Sequence, residues 1–305
     1  MMTTLSIDAG QSGMRVRLRD ADGTSRDCSR PGVRTDSDVI TQLAAAIGDI
    51  SAEPGLVLDA VNVGTSGVDF DPELARRLKS LVPALASAAV RVAHDSISGY
   101  LGSAGTELGV TTAVGTGVVT LGVGSGGVHR VDGWGYLMGD CGSGFWIGRA
   151  GLEVAMRAYD GRGESTVLLD DLIALFGEPA GAYLRIQSDP DRVRSVASFA
   201  RVVLDAAEAG DAVAADVAMH AANELYASMD AALRQAGFTI ECAPVVCWTG
   251  GVVRSQVLAQ ALGRRFAAQW PNARLLPALG DPLDGSERLG KLPLGHPLLD
   301  SISHA

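Results

Sequence analysis

The sequence predicts an α/β fold in which one structural unit occurs twice. Each half of the chain opens with three short strands separated by two glycine turns. Gly115 follows Gly10, and Gly127 follows Gly23, at nearly the same separation, which indicates an internal duplication. The chain has 305 residues, of which 47% are hydrophobic and 20% charged, so it is long enough for two domains that each bury a core.

In the first half, alternating or continuous apolar runs between turn residues define the strands. We predict strands at Thr4–Asp8, Met14–Leu18, Val57–Val63 and Ala89–Ala93, and a hairpin turn at Asp22-Gly23. Apolar residues at helical spacing predict a helix over Asp36–Ile50, with Asp36 or Ser37 as its N-cap. A second helix is predicted to start at Asp71-Pro72-Glu73, with proline at its first position.

The second half begins in the same way and is then filled by helices. Strands are predicted at Val110–Val114, Val118–Val123, Val128–Val131 and Pro244–Trp248. Helices are predicted at Phe145–Tyr159 after a Ser143 cap, from Asp189 to Ala209, from Asp211 to Gln235 before Gly237, and from Arg254 to Trp270. The proline-rich tail that follows carries no clear periodicity.

Charge and composition exclude several functional classes. The net charge is −10, so the basic surface that nucleic-acid binding requires is missing. Residues 109–128 form an uncharged run, but its seven glycines and four threonines predict strands and turns, not a membrane helix. Four cysteines without a CxxC pair argue against a disulfide framework or a zinc site. The N-terminus lacks the pattern of a signal peptide, and we therefore expect a cytoplasmic protein without membrane contact.

Two glycine turns carry the first functional signal. Gly10, Gln11, Ser12 and Gly13 follow Asp8, and Gly115, Thr116 and Gly117 stand at the matching place in the second half. Successive backbone N–H groups in such turns can bind an anion, and Asp8 is suited to hold Mg²⁺, through water. On its own, the first turn is better explained as an ordinary hairpin. As a pair, they predict a site for the phosphates of one nucleotide.

Asp95 directly follows a predicted strand. Ligands bind at the carboxyl ends of strands in open α/β sheets, so this carboxylate is placed to accept a proton from a substrate hydroxyl. The alternative is that Asp95 caps a helix over Ser96–Gly102. We interpret the neighbouring His94 as structural, with its side chain pointing elsewhere.

Two further segments are candidates for ligand contacts. Five glycines, with aromatic residues and Asp140, crowd Gly133–Gly144 just before a helix. Asp140 is suited to hydrogen-bond sugar hydroxyls, and the aromatic rings to pack on an apolar sugar face. Thr249–Val252 opens a helix after a buried strand, with Ser255 one turn on; its glycines allow a flat base to approach, although a close strand–helix turn explains them as well.

These motifs together resemble the sugar-kinase, actin and heat-shock ATPase superfamily. Within it, GWGYLMGDCGSGFWIGRAGL, supported in order by HDSISGYLG, VGTGVVTLG and WTGGVVRS, looks most like the N-acetylglucosamine kinase group of the BadF/BadG/BcrA/BcrD ATPase family. The resemblance spans Asp8 to about Ser286. It implies two ribonuclease-H-like lobes, as in actin-like ATPases, hinged around a cleft for ATP, Mg²⁺ and a sugar.

The resemblance also assigns residues by motif. Asp95 resembles the catalytic base, and the two glycine turns resemble the phosphate loops. The adenosine motif is carried by Gly250, Gly251, Val252 and Ser255, and the sugar-side positions are Ser66, Gly67, Thr116 and Asp140. The implied lobes are residues 1–108, completed by the tail at about 286–305, and residues 109–285 with helical insertions.

Three departures from the family pattern bear on specificity. The first turn reads AGQSG and lacks the usual basic side chain, and Cys141 stands where glutamate is usual. Arg30-Pro31-Gly32-Val33 replaces the asparagine-containing sugar loop. The resemblance therefore predicts an ATP- and Mg²⁺-dependent kinase, as a homodimer, for a hydroxyl of an amino sugar such as N-acetylglucosamine or glucosamine. The alternatives are a kinase for another amino sugar, such as N-acetylmuramic acid, and a non-catalytic sensor of sugars or nucleotides.

Overall fold

The computed structural model describes residues 2–305, and within them the chain forms eleven strands and ten α-helices. The strands are β1 Thr4–Ala9, β2 Met14–Arg19, β3 Ser25–Arg30, β4 Ala60–Thr65, β5 Ala89–His94, β6 Gly109–Val114, β7 Val118–Gly124, β8 Gly127–Val131, β9 Val245–Thr249, β10 Arg274–Leu275 and β11 Ser303–His304. The helices are α1 Val39–Ser51, α2 Leu74–Leu81, α3 Asp95–Ala104, α4 Gly144–Tyr159, α5 Leu168–Phe176, α6 Pro179–Ser188, α7 Arg192–Glu208, α8 Ala212–Gln235, α9 Gln256–Gln269 and α10 Pro282–Arg288.

The two sheets repeat one topology. The first has the strand order β11-β5-β4-β1-β2-β3, and the second has the order β10-β9-β6-β7-β8. In the first sheet, β2 lies antiparallel to β1, while β4 and β5 continue it as parallel strands. In the second sheet, β9 pairs in parallel with β6 and β10 with β9. This shared order confirms the predicted α/β class and its duplication.

The chain divides into two compact units. The first comprises the residues up to Leu108 with Val123–Val128 and Pro277–Ala305, and the second comprises Gly109–Gly122 and His129–Leu276. The return to the first unit at Pro277 comes earlier than the expected position near residue 286, because α10 packs within the first unit. Each unit has its own buried apolar cluster, centred on residues such as Ile7, Leu43 and Val61 in the first, and on Phe199, Leu225 and Phe266 in the second.

α10 is bound to the first unit by charge. One face of β2 carries three arginines at alternate positions, Arg15, Arg17 and Arg19. They pair in that order with Asp281, the N-cap of α10, and with Asp284 and Glu287 within the helix, each three residues further on. The shortest N–O distances of these pairs are 2.6, 2.6 and 3.0 Å. Strand and helix periodicity therefore bring three arginines and three carboxylates into register.

Small residues let α10 approach α3 closely. A Cβ atom on Gly285 would lie 1.7 Å from the Ser98 carbonyl oxygen, and one on Gly102 would lie 2.2 Å from that of Asp281. Leu279 also donates its backbone N–H to the Ser103 carbonyl at 3.0 Å. The tail thus supports the helix that begins at Asp95.

Several predicted boundaries and caps are corrected. The N-cap of α1 is Asp38, which accepts a hydrogen bond from the Thr41 N–H, and not Asp36 or Ser37. Helix α2 begins at Leu74, since the Asp71 carboxylate accepts the Glu73 N–H and holds the preceding residues as a turn. The strand predicted at Val57–Val63 is β4, Ala60–Thr65. Helices α5, α6 and α10 were not predicted from the sequence.

Two predicted helix caps and one predicted helix end are confirmed. Ser143 caps α4, Asp211 caps α8, and Gly237 follows α8 with a φ of +89°. Over residues 2–305, no helix is long and apolar enough to cross a membrane. All four cysteines are free thiols.

Candidate functional site

The first glycine turn connects β1 to β2 and exposes its tip. The Gly10 N–H donates to the Gly13 carbonyl at 3.0 Å, and the side chains of Gln11 and Ser12 are exposed. The segment Arg30–Val33 packs on this turn, with the Val33 N–H donating to the Gly10 carbonyl at 3.0 Å. A Cβ atom on Gly32 would lie 2.2 Å from the Gln11 carbonyl oxygen, so this approach requires glycine.

Asp8 precedes the turn and is paired with an arginine. Arg15 donates to Asp8 Oδ2 from Nη2 at 2.7 Å and from Nε at 3.2 Å, and its Nη1 donates to Asp281 Oδ2 at 2.6 Å. Burial raises the pKa of Asp8; Arg15 opposes this rise, and the nearby charges of Asp95 and Asp281 add to it. Arg15 is thus held between two carboxylates.

The donor set at Asp8 fits Mg²⁺. Both Arg15 bonds use Oδ2, which leaves Oδ1 for a metal-bound water. Over the described residues 2–305, no group of three or more His, Cys, Asp or Glu side chains is able to hold a metal ion. Mg²⁺ keeps much of its water and binds through substrate phosphates, so it needs only one or two protein carboxylates.

Asp95 stands at the junction of β5 and α3. The N-cap of α3 is His94, whose Nδ1 accepts the Ser96 N–H at 3.1 Å. The alternative interpretation of Asp95 as the cap is therefore wrong, and its carboxylate, with 36% of the side chain exposed, is not used for capping. The expectation that His94 points elsewhere is also wrong, because its Nδ1 lies 3.0 Å from Asp95 Oδ1.

Ser66 and Gly67 lie at the same end of the first sheet. Ser66 follows β4 and donates its N–H to the Ala9 carbonyl at 2.9 Å. Gly67 has a φ of +74° and packs on Thr35. Since β1, β4 and β5 are parallel, their carboxyl ends bring Asp8, Ser66 and Asp95 to one edge. Beside Gly67, a cavity of about 320 Å³ is lined by groups that include Asp38, Phe70 and Arg77.

In the second unit, three segments meet at the second glycine turn. The Gly115 N–H donates to the Gly117 carbonyl at 2.9 Å, and the start of α4 binds the turn through Gly144 N–H to Gly115 O at 2.8 Å. Gly250 has a φ of +107°, and a Cβ atom there would lie 2.1 Å from the Val114 carbonyl oxygen. Glycine at this position allows the segment after β9 to lie against the end of β6.

A cavity of about 710 Å³ lies within the second unit. Five of the sequence-predicted nucleotide residues line it, namely Gly115, Thr116, Gly251, Val252 and Ser255. Its size is within the range of small-molecule sites. Gly117 and Gly250 do not line the cavity but pack behind these segments.

Helix α7 forms one wall of this cavity. The helix was predicted from the sequence, but its place at the cavity was not. It contributes Arg194, Arg201 and Glu208. Glu208 Oε1 accepts hydrogen bonds from Ser255 Oγ and the Gln256 N–H, both at 2.8 Å, and the Ser255 bond lowers the pKa of Glu208. Glu208 therefore fixes the start of α9. Because Glu208 lies 47 residues from Ser255 in the sequence, no local sequence pattern predicts this contact.

Asp140 is buried, and its carboxylate is bound by the protein itself. Its Oδ1 accepts the Gly135 N–H at 3.2 Å, and its Oδ2 lies against Gly117. Burial raises the pKa of Asp140, which its backbone hydrogen bonds oppose. In this arrangement Asp140 joins the loop before α4 to the second glycine turn, and contact with a sugar stays a prediction.

Asp132 is a second residue that the sequence analysis missed. Its carboxylate accepts the N–H groups of Gly133 at 2.7 Å, Asp140 at 2.7 Å and Cys141 at 2.9 Å. This clamp holds the loop in which Trp134 and Met138 are exposed. Burial raises the pKa of the Cys141 thiol, and the charges of Asp132, Glu224 and Asp140 raise it further, so Cys141 stays a neutral thiol.

Comparison with known proteins gives a consistent result. The model of the BadF/BadG/BcrA/BcrD ATPase family matches residues 7–283. An N-acetyl-D-glucosamine kinase of Dictyostelium discoideum is 28% identical over 242 residues, which cover 77% of this chain and 76% of the relative. An N-acetylmuramic acid/N-acetylglucosamine kinase of Clostridium acetobutylicum is 26% identical over 241 residues, or 74% of this chain and 75% of the relative.

A solved structure agrees with these relatives. The protein from Chromobacterium violaceum, provisionally named an N-acetylglucosamine kinase, superimposes with a TM-score of 0.73 at 25% identity. The match covers 94% of this chain and 98% of that one.

Proposed function

The chain belongs to the BadF/BadG/BcrA/BcrD ATPase family, and from that premise we propose that it is a sugar kinase that phosphorylates an amino sugar with ATP. The acceptor in this proposal is a hydroxyl, the 6-hydroxyl, of N-acetylglucosamine or glucosamine. The observation that carries it is the carboxylate of Asp95, which lies at a strand end near Asp8 and is spared from capping by His94.

The nucleotide is assigned to the cavity of the second unit. Gly251, Val252 and Ser255 would face the adenosine, and the backbone of Gly115 and Thr116 the phosphates, with Gly117 closing the turn behind them. Gly10, Gln11, Ser12 and Gly13 would supply further N–H donors to the phosphates. In this scheme Asp8 would hold Mg²⁺ through water, and the bound ion would neutralise charge on the transferred phosphoryl group.

Asp95 acts as the base. The sugar hydroxyl oxygen attacks the terminal phosphorus of ATP, a new P–O bond forms, and the bond to the leaving ADP oxygen breaks. The hydroxyl proton passes to the Asp95 carboxylate. Because phosphoryl transfer depends mainly on positioning and charge neutralisation, this chain has to orient the hydroxyl and to bind the phosphates.

The sugar-side assignments are Ser66, Gly67, Thr116 and Asp140. The cavity beside Gly67 is lined by the apolar ring of Phe70 and by Asp38 and Arg77, which pair with each other at 2.6 Å. A sugar with a polar substituent would pack on the ring beside this ion pair. N-acetylmuramic acid is a second candidate acceptor, since the Clostridium acetobutylicum relative is named for both sugars.

We further propose a cytoplasmic homodimer. ATP as the donor supports the location, and exposed apolar side chains on α5 and α6, Leu175, Tyr183 and Leu184, support self-association. Sedimentation of the purified chain tests the assembly, with a dimer as the expected species.

A coupled assay of ADP release tests the kinase. Turnover is expected with amino sugars and Mg²⁺, and Asp95→Asn is expected to reduce kcat at least 100-fold, the lower range for loss of a general base, about 10²–10⁴. Calorimetry is expected to show that this variant still binds ADP. Unchanged sugar-dependent turnover in Asp95→Asn would refute the base assignment. Tight ligand binding without turnover in the wild type would favour the sensor alternative.

A further inference from the structure

Ser255 and Glu208 form a hydrogen-bonded pair in the wall of the second-unit cavity. Ser255 is the N-cap residue of α9, but Glu208 supplies the capping bond, because its Oε1 accepts the Gln256 N–H at 2.8 Å. The same oxygen accepts a hydrogen bond from Ser255 Oγ, also at 2.8 Å. Both side chains line the cavity, so the direction of the bond between them bears on which ligand groups the cavity accepts.

The pair fixes the hydrogen-bonding character that Ser255 presents to a ligand. The bond from Ser255 lowers the pKa of Glu208, so this carboxylate is ionised at neutral pH, and an ionised carboxylate only accepts hydrogen bonds. A serine hydroxyl has one hydrogen to donate and two lone pairs. Because the hydrogen is directed at Glu208, Ser255 Oγ offers lone pairs to a ligand, and the ligand group that faces it has to be a donor.

The pair lies at the end of the cavity that is far from the second glycine turn. The Gly144 N–H donates to the Gly115 carbonyl at 2.8 Å, and a Cβ atom on Gly144 would lie 3.6 Å from the Ala197 carbonyl oxygen. Ala197 therefore marks the level of the turn on α7. From Ala197 to Glu208 the helix rises by about 16 Å. In a nucleotide whose phosphates lie at the turn, the ribose comes next and the base lies beyond it, toward this pair.

We propose that Ser255 selects the base of the nucleotide, and that Glu208 is the positioning residue that gives Ser255 this selectivity. This inference rests on the proposed function, which places a nucleotide in this cavity. The 6-amino group of adenine donates a hydrogen bond to Ser255 Oγ. Hypoxanthine and guanine carry a carbonyl oxygen at the same position. That oxygen either meets the lone pairs of Ser255 or draws the hydroxyl hydrogen away from Glu208, and in both cases one hydrogen bond is lost.

Asp205 is another carboxylate of this wall, about one turn before Glu208 on α7. Its side chain is 68% exposed, and its Oδ2 lies 3.6 Å from Nε of Arg201. Asp205 is thus drawn toward a neighbouring cation, whereas Glu208 is held by the start of α9. An amino group bound to Asp205 is the competing explanation for a preference for adenine, and substitution of Asp205 distinguishes the two.

Calorimetry with ADP and inosine diphosphate (IDP) tests the selection, because the base of IDP carries a carbonyl where that of ADP carries the amino group. The wild type is expected to bind ADP about tenfold more tightly, the size of one net hydrogen bond. In Ser255→Ala the two affinities are expected to agree within about twofold, because ADP binds more weakly. Since Glu208 supplies the capping bond, this variant keeps the start of α9.

Glu208→Ala is expected to remove the preference in the opposite way. The hydroxyl of Ser255 is then free to donate to the carbonyl of IDP, so IDP gains affinity until it is within about twofold of ADP. Glu208→Gln is the conservative variant. Because the Gln256 N–H needs an acceptor, the amide oxygen takes the place of Oε1 and accepts both bonds, and the preference for ADP is expected to remain. A merely structural role of Glu208 would not produce this rescue.

Asp205→Ala is expected to keep the preference of the wild type. Loss of the preference in this variant would assign the amino group to Asp205 and overturn the proposal. Equal binding of ADP and IDP by the wild type, with weaker binding of 2′-deoxy-ADP or 3′-deoxy-ADP, would place a ribose hydroxyl at Ser255 and overturn it as well. If Glu208→Ala does not fold, Ser255→Ala decides the question.

Three results separate this inference from the proposed function. If the wild type does not bind ADP, the assignment of the nucleotide to this cavity is wrong and the inference falls with it. If ADP binds and Ser255→Ala keeps the preference of the wild type, the inference alone is wrong. If the preference behaves as expected but no amino sugar is phosphorylated, the kinase is wrong and the selection of the base stands.

Discussion

Carboxylates that bind backbone were the hardest residues to interpret from the sequence. The glycine-rich motif drew attention to Asp140, yet Asp132 holds the same loop through three N–H groups. Its partners lie up to nine residues away, and its φ of +59° has no sequence signature for a residue other than glycine. A search for aspartates at the borders of glycine-rich loops offers a way to find such clamps.

The junction at Asp95 shows the same limit. The position of this residue at a strand end followed from the apolar run before it, so the candidate base could be predicted. Which of two neighbouring polar residues caps the helix could not be predicted, since both stand at its start and both side chains can accept a hydrogen bond. The answer depends on the rotamer of His94, which the surrounding structure sets.

Asp284 gives a residue-scale prediction with a definite pH dependence. Its hydrogen bond from Arg17 lowers its pKa below 3.8, which outweighs the opposing effect of burial. A carboxyl group whose pKa is lower in the folded chain stabilises the fold at pH values above its pKa in the unfolded chain. This contribution is lost as the pH falls through the pKa of the folded chain. Asp284→Asn is therefore expected to lower the free energy of unfolding by about 0.5–1 kcal/mol at neutral pH. The difference is expected to vanish at a pH low enough to protonate Asp284 in both the folded and the unfolded chain.

Thermal or urea unfolding at a series of pH values from 7 down to 2 measures this difference. Asp36→Asn is the matched control, because Asp36 also pairs with an arginine, Arg34, but both groups are exposed. No change is expected for the control across this series. A deficit in Asp284→Asn that stays constant as the pH falls would show that the charge of Asp284 is not its cause.

At the scale of elements, the sequence predicted those helices that are stabilised by residues close to one another in the chain. Helices α4 and α8 have capping residues and long apolar stripes, and both were predicted within a residue or two. Helix α10 has seven residues, too few for a periodic pattern, and its stability comes from Arg15, Arg17 and Arg19 on a strand more than 260 positions earlier. Only the folded chain brings these partners together.

The contact of α3 with α10 gives an element-scale prediction. Gly102→Ala would place a methyl group 2.2 Å from the Asp281 carbonyl oxygen, so the helices have to separate. The expected loss of stability is about 1–3 kcal/mol. Turnover is expected to fall as well, since α3 begins with the proposed base.

Gly99→Ala, on the same helix, is the control for that variant. A Cβ atom on Gly99 meets nothing within 4 Å, and alanine favours the helix by about 0.5–1 kcal/mol. Urea unfolding of the two variants is therefore expected to shift in opposite directions. Equal shifts would mean that helix propensity, and not the approach of α10, decides the effect.

At the scale of the whole molecule, the duplication was the most informative pattern. The repeated glycine turns indicated a duplication, which the shared strand order of the two sheets confirms. The sequence motifs resembled the family whose model matches the chain. The walls of the cavity could not be predicted in this way. Arg194 and Glu208 belong to a helix of the second unit that has no counterpart in the repeated pattern, so only its packing indicates their place.

The division into two units predicts where nucleotide binding stabilises the chain. The cavity of about 710 Å³ lies wholly within the second unit, and its walls join the turn at Gly115, the end of α7 and the start of α9. ADP at 100 times its Kd stabilises the folded state by about 2.7 kcal/mol if it binds there and not to the unfolded chain.

Hydrogen exchange followed by mass spectrometry measures where ADP binds. We expect the strongest protection of backbone amides at Gly115–Gly117, Leu204–Glu208 and Gly251–Gln256. Helix α1, which belongs to the other unit and its separate core, is the internal reference and is expected to exchange unchanged. Protection that spares α7 and the second glycine turn would place the nucleotide elsewhere, since ligand contact there has to slow the exchange of those amides.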